Sequence, residues 1–381
     1  MDAETRNGPL AGYRVLEMGS TIAGPFCGRL LADFGAEVIK VEPAEGDAVR
    51  LAGKRFKGKS LYAASIFRNK TLISVDLRRP RGQEVIKRLV PHCDIVVENF
   101  RPGGLEKWGL GYSDLARIKP DIIMVRISGY GQSGPYSPRP GYGVICEAVS
   151  GLRHLTGDPD RPPARVAIAL TDYITGVYAA FGAILALRTA SPTTLAYSVA
   201  NRMGSALANS VPNNLYPTRD GRYIHIQAAQ NPVFKRLAAA MGMPELLEDE
   251  RFATALGRQQ HPQETDGIVE RWTSSHALAE IESKLKTAEV PAAGINTLED
   301  IFRDPHFRAR GMLVEAPDGE LGTVTLAGPV PKLSATPAQI RRSGGSIGQD
   351  TRRVLTGLAG YAETDLKQLE AQGIVYCDPK S

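Results

Sequence analysis

Residues 13–42, YRVLEMGSTIAGPFCGRLLADFGAEVIKVE, decide the fold class. YRVLEM (13–18) is an apolar run of strand length. GSTIAGP (19–25) is a turn carrying Gly19, Gly24 and Pro25. FCGRLLADFG (26–35) has the apolar spacing of an amphipathic helix and stops at Gly35, the residue type that most readily closes a helix in the left-handed conformation. AEVIKVE (36–42) is the next strand. Strand, helix and strand form a βαβ unit, which implies a parallel sheet with a right-handed crossover. The turn has neither G-x-G-x-x-G nor the lysine of a phosphate loop. A helix that opens directly after a strand is still a possible anion site.

The pattern repeats outward. TLISVDL (71–77), DIVVENF (94–100) and DIIMVRISGYG (121–131) read as strands, and RPRGQEVIKRLV (79–90) reads as a helix with Pro80 in its first turn. Further strand–helix steps predict a doubly wound α/β sheet, whose ligands lie beyond the carboxyl ends of the strands. Asn99, Arg101 and Gly129–Gln132 fall at such ends, although ordinary turn chemistry would place the same residue types there. The basic stretch Arg50–Lys59 reads as a solvated loop.

VAIALTDYITGVYAAFGAILAL (166–187) is almost wholly apolar and carries one acid, Asp172. VAIAL reads as a short buried strand, and Thr171–Asp172 stands where a helix would begin. Gly176, Ala179 or Ala180, and Ala183 put small residues on one helical face, so another helix or a ligand could come close there. A carboxylate at a helix N-terminus is held ionised by free N–H groups and the macrodipole, and it is then a competent nucleophile toward an activated acyl group. Thr and Asp ahead of an apolar helix are equally ordinary N-caps. The run approaches membrane-spanning length, but its acid and two glycines favour a buried core helix.

The composition is that of a soluble globular protein: 381 residues, 43% hydrophobic and 23% charged, long enough for two domains. A formal charge of +5, with no basic run interleaved with aromatics, gives no nucleic-acid footprint and suits an anionic small molecule. Cys27, Cys93, Cys146 and Cys377 show no metal spacing, and the six histidines form no H-x-x-x-H pair; the expectation is reduced thiols, a cytoplasmic setting and no metal. MDAETRNGPL does not read as a signal peptide. After Leu187 the chain turns small and polar. YPTRDGRYIHIQ (216–227) then reads as a hairpin turning at Asp220–Gly221, and helices follow in 231–242, 261–275 and 277–290. Strands are expected in 319–334, and a helix over 364–375 ends the chain. The organisation this gives is a large discontinuous domain from 1–190 and 311–381, a linker over 191–214, and a smaller α+β domain over 215–310.

Taken in order, PLAGYRVLEMGSTIAGPFCGRLLADFGAEVIKVE, FRNKTLISVDL, DIVVENFRPGGLEKWGL, ISGYGQSGPY, GYGVICEAVSGL and TDYITGVYAAFGAILAL resemble the class III CoA-transferases, the CaiB/BaiF family. DGRYIHI, FRARGMLVE, GPVPKLSATP and SIGQDT continue the resemblance nearly to the C-terminus. It implies a Rossmann-like doubly wound sheet and transfer of CoA between carboxylic acids through an aspartate at the position of Asp172. The donor acyl-CoA, for which the resemblance offers succinyl-CoA as a candidate, would pass its CoA on through an aspartyl-CoA thioester. CoA enters as part of the substrate, with no permanently bound cofactor.

The resemblance also implies CoA contacts. They fall on Ile22 and Ala23 after the first strand, on Leu77 and Arg78, on Asn99, Phe100 and Arg101, on Lys107, and on Tyr142. Ile22 replaces the glutamine of formyl-CoA transferases. The α-methylacyl-CoA racemases of the family need a His–Asp pair where this chain has Tyr142 and Gly143, which weakens that alternative; a non-catalytic acyl-CoA binding protein is a third. Ser210–Asn214 matches the loop that helps form the acyl site. The segment after Leu187 is a few dozen residues shorter than the resemblance implies. Relatives are interlocked homodimers, and one is expected here, without nucleic-acid or membrane partners. Arg139, Arg165 and Arg202 are candidates for a distal substrate carboxylate.

Overall fold

Five of the apolar runs form parallel strands: β1 Arg14–Glu17, β2 Glu37–Glu42, β3 Thr71–Val75, β4 Ile95–Glu98 and β5 Ile123–Arg126. This computed structural model describes residues 7–133, 135–150, 152–158, 160–162, 164–189, 210–330 and 336–379. The sheet order is β3-β2-β1-β4-β5, and Val15 of β1 stands between Val38 of β2 and Ile95 of β4. Strand side chains alternate between the two faces of the sheet. On one face Leu16, Ile39, Ile73 and Val96 meet Val85, Ile86 and Leu89 of helix α2 (Pro80–Leu89), together with Val354 and Leu366 from the C-terminal segment. On the other face Val15, Val38, Ile95 and Val97 meet Cys27 and Leu31 of α1 (Ala23–Asp33). Both faces are covered, as a parallel sheet requires, and the architecture is the α/β doubly wound one that the opening βαβ unit predicts.

The C-terminal segment finishes the sheet. Val375–Tyr376 pairs antiparallel with β3, so the chain ends beyond its last helix, Glu363–Ala371, and not within it as the sequence pattern suggested. The other edge groups of β3 are capped by side chains: the Leu72 N–H donates to Asp350 Oδ2 at 2.8 Å and the Ser74 N–H to Thr351 Oγ1 at 2.8 Å. An edge closed in this way offers no template for a foreign strand.

Charged residues lie inside the same sheet. Glu17, Lys40 and Lys70 are each no more than 1% exposed. Lys70 Nζ lies 2.6 Å from Glu17 Oε2 and donates to the Pro25 carbonyl. Lys40 Nζ lies 3.0 Å from Asp47 Oδ2 and donates to the Gly19 carbonyl. Asp47 in turn accepts the Thr21 N–H at 3.0 Å, with Thr21 in the left-handed region at φ 67°. Gly28 of α1 leaves room for the Glu17 carboxylate, because a Cβ there would fall 1.8 Å from Glu17 Oε2. Buried ions persist only when paired and hydrogen-bonded, and here the pairing clamps the turn between β1 and α1.

Two further helices flank β5 in sequence: α3 (Tyr112–Ile118) precedes it, and α4 (Gly143–Val149) follows it. Helix α5, Leu170–Thr189, packs on α1. VAIAL is not a strand: 166–169 are irregular, Ile168 is exposed, and the helix opens at Leu170. A five-residue apolar run does not distinguish a strand from a helix approach. Nor is α5 buried all round. Gly176, Ala180 and Ala183 are buried, while Ile174, Val177, Tyr178, Phe181, Ile184 and Leu185 are exposed. A helix apolar on every side carries no sign of which face turns inward. The small-residue stripe does: a Cβ on Gly176 would stand 2.8 Å from Phe26 Cδ1 and 3.0 Å from the Ala23 carbonyl oxygen. Among the described residues one helix, Leu170–Arg188, is long and apolar enough to cross a membrane.

The chain divides into two compact units, Met1–Glu147 with Ala167–Tyr197 and Pro305–Ser381, and Ala148–Val166 with Ser198–Asp304. Most of the expected linker, residues 190–209, lies outside the described residues. The second unit has an antiparallel sheet of β6 (Asn213–Pro217), β7 (Tyr223–Gln227) and β8 (Ala292–Gly294), with the expected hairpin turn carrying Gly221 at φ 72°. Helices α6 (Asn231–Met241), α7 (Pro262–Ser274) and α8 (Leu278–Thr287) cover it through Phe234, Leu237, Val269, Trp272, Ile281 and Leu285.

Two glycine substitutions test this packing in opposite directions. Gly176→Val forces α5 off α1 and is expected to lower stability by about 1–3 kcal/mol, the usual penalty of overpacking. Gly267 lies inside α7, and a Cβ there meets only the Arg271 guanidinium, at 3.5 Å. Gly267→Ala is expected to raise stability by roughly 0.5–1 kcal/mol through lost unfolded-chain entropy. Urea denaturation reads both; a Gly176→Val protein as stable as the parent contradicts the α1–α5 contact.

Candidate active site

Strand order reverses between β1 and β4, because the chain leaves β1 toward β2 and leaves β4 toward β5. The crevice outside the carboxyl ends at such a point is where open α/β sheets bind ligands. Here it is a cavity of about 250 Å³. Its walls are the β1–α1 turn (Ser20–Ala23), the residues after β4 (Asn99–Pro102), the residues after β5 (Ile127–Gly129), the loop Arg139–Gly143 with Cys146, and the first turns of α5 (Thr171, Asp172 and Thr175).

Each wall is held by identifiable contacts. Asn99 Oδ1 accepts the Ser20 N–H at 2.7 Å and its Nδ2 donates to the Ser20 carbonyl at 2.9 Å, so its amide ties the turn after β1 to the end of β4. A Cβ on Gly19 would crowd that tie, 3.1 Å from Asn99 Oδ1. Buried Glu98 accepts the Phe100 N–H at 2.7 Å and Arg126 Nε at 2.9 Å, and Phe100 packs edge-on against Trp108. The loops after β5 cross at Gly129 and Gly141, where a Cβ on Gly129 would lie 2.7 Å from the Gly141 Cα. Cys146 Sγ donates to the Gly129 carbonyl at 3.4 Å, and burial together with the nearby Asp172 charge pushes its thiol upward.

Asp172 sits in the first turn of α5, but it does not cap it. Ala169 supplies the carbonyl that accepts the Tyr173 N–H at 3.0 Å, so Thr171 and Asp172 lie within the turn. The carboxyl is shifted above its ordinary value. Burial is the largest cause and the Glu147 charge adds to it, while the hydrogen bond from the residue's own backbone opposes. Desolvation therefore outweighs the helix-terminus stabilisation anticipated from the sequence. Above the carboxylate lies Gly143: a Cβ there would be 2.0 Å from Asp172 Oδ2 and 2.6 Å from Thr171 Oγ1. Both oxygens thus converge on one bare backbone position. Thr171 Oγ1 is buried and has no hydrogen-bond partner among the described residues. Behind the turn, the Tyr173 and Tyr62 hydroxyls are hydrogen-bonded at 2.8 Å and Tyr173 packs edge-on to Phe26.

Of the residues singled out from the sequence, Asp172, Ile22, Ala23, Asn99, Phe100, Arg101 and Tyr142 line this cavity, and Arg139 lines it too. Leu77, Arg78 and Lys107 do not. Arg78 is exposed beyond the end of β3 and pairs with Asp76 at 2.7 Å and Glu45 at 3.3 Å. Lys107 is exposed in a single turn after Leu105. Arg165 and Ser210–Asn214 belong to the second unit, where Asn213 Oδ1 accepts from His225 Nε2 at 2.9 Å and Asn214 donates to Asp266 at 2.9 Å; Arg202 lies outside the described residues. Sequence reasoning passed over Thr175, Cys146 and the ions beneath the turn. The ions did leave a sign, since Glu17 and Lys40 interrupt otherwise apolar strand runs. Among the described residues no group of three or more His, Cys, Asp or Glu side chains could hold a metal ion.

CoA-transferase family III matches this chain over residues 10–200 and 189–351. The chain belongs to that family. It is 43% identical to the succinyl-CoA–D-citramalate CoA-transferase of Chloroflexus aurantiacus, covering 96% of this chain and 98% of that one. It is 33% identical to the succinyl-CoA:glutarate CoA-transferase of Homo sapiens, covering 96% and 90%. A CAIB/BAIF family protein from Brucella suis superposes with a TM-score of 0.81 at 32% identity, over 92% of this chain and 100% of that one.

For a CoA-transferase with this cavity, Gly143→Ala is a sharp test. The added methyl must displace the Asp172 carboxylate. Where that carboxylate takes part in the reaction, a displacement near 1 Å costs about 10²-fold in rate. Steady-state transfer is expected to fall by about that factor, with a melting temperature close to the parent's. Unchanged transfer would contradict the tight Gly143–Asp172 approach.

Proposed function

We propose that this family III transferase moves CoA from succinyl-CoA to a second dicarboxylic acid, with Asp172 as the nucleophile. One observation carries the reading: the acid placed in the crevice wall at the strand switch point is Asp172, desolvated and closely approached by the bare backbone of Gly143. The relatives named for succinyl-CoA, citramalate and glutarate support the substrate class.

On this reading an Asp172 oxygen attacks the acyl carbon of the donor, and the carbon–sulfur bond breaks to give a mixed anhydride and CoA thiolate. The thiolate attacks the Asp172 carbonyl carbon, forming the aspartyl-CoA thioester and releasing the donor acid as its carboxylate. The acceptor carboxylate attacks that thioester, displacing thiolate and forming a second anhydride. The thiolate then attacks the acceptor's acyl carbon, which frees the Asp172 carboxylate and gives the new CoA ester. No external proton, oxidant or energy source enters. A covalent route keeps the thioester energy and divides one transfer into smaller steps. A partly desolvated carboxylate is also a stronger nucleophile than a hydrated one.

Ile22, Ala23, Asn99, Phe100, Arg101 and Tyr142 would surround the thioester end of CoA. Leu77 and Arg78, at the carboxyl end of β3, and Lys107 would serve its nucleotide end. CoA is a substrate here, and no resident cofactor or metal is invoked. The four thiols, unpaired in the fold, suit the cytoplasm. The exposed apolar face of α5 suits an interlocked homodimer in which a second copy covers it. Light scattering at micromolar concentration is expected to give the dimer mass; a monomer contradicts the assembly.

Asp172→Asn separates chemistry from folding. Transfer should fall by several orders of magnitude because an amide forms no anhydride. The sign of the stability change follows from the raised carboxyl. The folded state binds this proton more tightly than the unfolded state, so stability falls as pH rises from the unfolded value through the folded one. At neutral pH the amide removes that penalty. The variant should therefore melt at or above the parent's temperature, and the acid limb of the parent's kcat/KM profile should lie above an ordinary aspartate's. Retained turnover in purified Asp172→Asn would end this mechanism.

A further inference from the structure

We infer that Arg139 is the specificity residue of this cavity: it pairs with the carboxylate of the substrate that is not undergoing reaction, and so selects dicarboxylic over monocarboxylic acids. The inference deepens the proposed transferase reading and rests on it for the identity of the reacting end.

Four observations carry it. Arg139 and Asp172 line the same cavity, from different wall segments. The guanidinium is mounted rather than loose: its carbon lies 3.7 Å from the centroid of the Tyr136 ring, and Tyr136 packs edge-on against Tyr130 at 5.8 Å. The backbone beneath is fixed as well, by the Arg139 N–H donating to the Tyr136 carbonyl at 2.9 Å and by the Gly129–Gly141 crossing two residues on. Finally, Arg139 makes no ion pair with any acid among the described residues, unlike Arg126, whose guanidinium is held by Glu98 and Glu106. An arginine stacked on an aromatic ring keeps its planar fork free for a bidentate carboxylate, and little side-chain entropy remains to be lost on binding.

The cavity presents a second cation, Arg101. It follows directly on Asn99 and Phe100 at the end of β4, and among the described residues no aromatic ring stacks on its head group. Its position suits the CoA part of the substrate, and it serves as the internal comparison.

The test uses the full-length enzyme and two kinds of readout. Isothermal titration compares succinate with butyrate, and steady-state transfer from succinyl-CoA compares glutarate with butyrate as acceptors. Wild type is expected to prefer the dicarboxylate in both. Arg139→Gln is expected to lose about 10- to 100-fold of that preference, the range of a lost charged hydrogen-bonded pair. Arg139→Lys should restore part of it, since the charge stays while the fork and its stacking go. Arg101→Gln is expected to weaken binding of the CoA ester and to leave the dicarboxylate-to-monocarboxylate ratio as it was. A ratio unchanged in Arg139→Gln, or one that collapses in Arg101→Gln instead, overturns the assignment while leaving the transferase reading intact. Failure of that reading looks different: wild type transfers CoA to no acceptor. The titrations still decide in that case, because a wild type that binds succinate no better than butyrate overturns the role of Arg139 directly.

Discussion

The approach of α5 to α1 at Gly176 is the contact on which the site depends. With no side chain at Gly176, the helix lies against the Ala23 carbonyl and the Phe26 ring. That contact places the first turn of α5 beside the turn that follows β1, and so puts Asp172 into the crevice where strand order reverses. The sheet by itself offers a ligand crevice, as any doubly wound sheet does. What brings a carboxylate into this one is a helix from much later in the chain, held close by small residues. The Tyr173–Tyr62 hydrogen bond steadies the same turn from behind.

Beneath the crevice, the second constraint is electrostatic. Glu17, Lys40, Asp47 and Lys70 are charges in a packed interior; Lys40, Asp47 and Lys70 bond the backbone of the turn, and Glu17 lies against both lysines. Removing one member leaves another buried and unpaired, which is far more costly than the pair is stabilising. The turn that forms one wall of the cavity is thereby held in a single conformation, including the left-handed Thr21. Asn99 adds a tie from the neighbouring strand. The wall is rigid before any substrate arrives, which favours catalysis by positioning.

The sheet and its helices were legible because apolar periodicity records burial, and four of the five parallel strands, β1 to β4, are largely buried on both faces while β5 is half-buried. The hairpin at Asp220–Gly221 was legible for a local reason, the left-handed turn glycine. Two features were not. VAIAL carries strand-like residues but no neighbouring strand claims it, and pairing is a long-range event that a five-residue run does not encode. The inward face of α5 is hidden in an all-apolar helix, and only the spacing of Gly176, Ala180 and Ala183 gave it away. Within the site, the cavity gathers residues whose motifs end strands, and leaves Leu77, Arg78 and Lys107 outside it. The direction of the Asp172 shift was misjudged from sequence, since it depends on burial of the turn and on the Glu147 charge, which arrives on α4 from elsewhere in the chain.

The account stands or falls on whether Asp172 becomes acylated. The direct measurement is to incubate the wild-type enzyme with succinyl-CoA and no acceptor, quench with hydroxylamine, and map the products by peptide mass spectrometry. A hydroxamate on Asp172, dependent on the CoA ester and absent from every other carboxylate, is the predicted result. An enzyme that transfers CoA at full rate while Asp172 remains unmodified would contradict it.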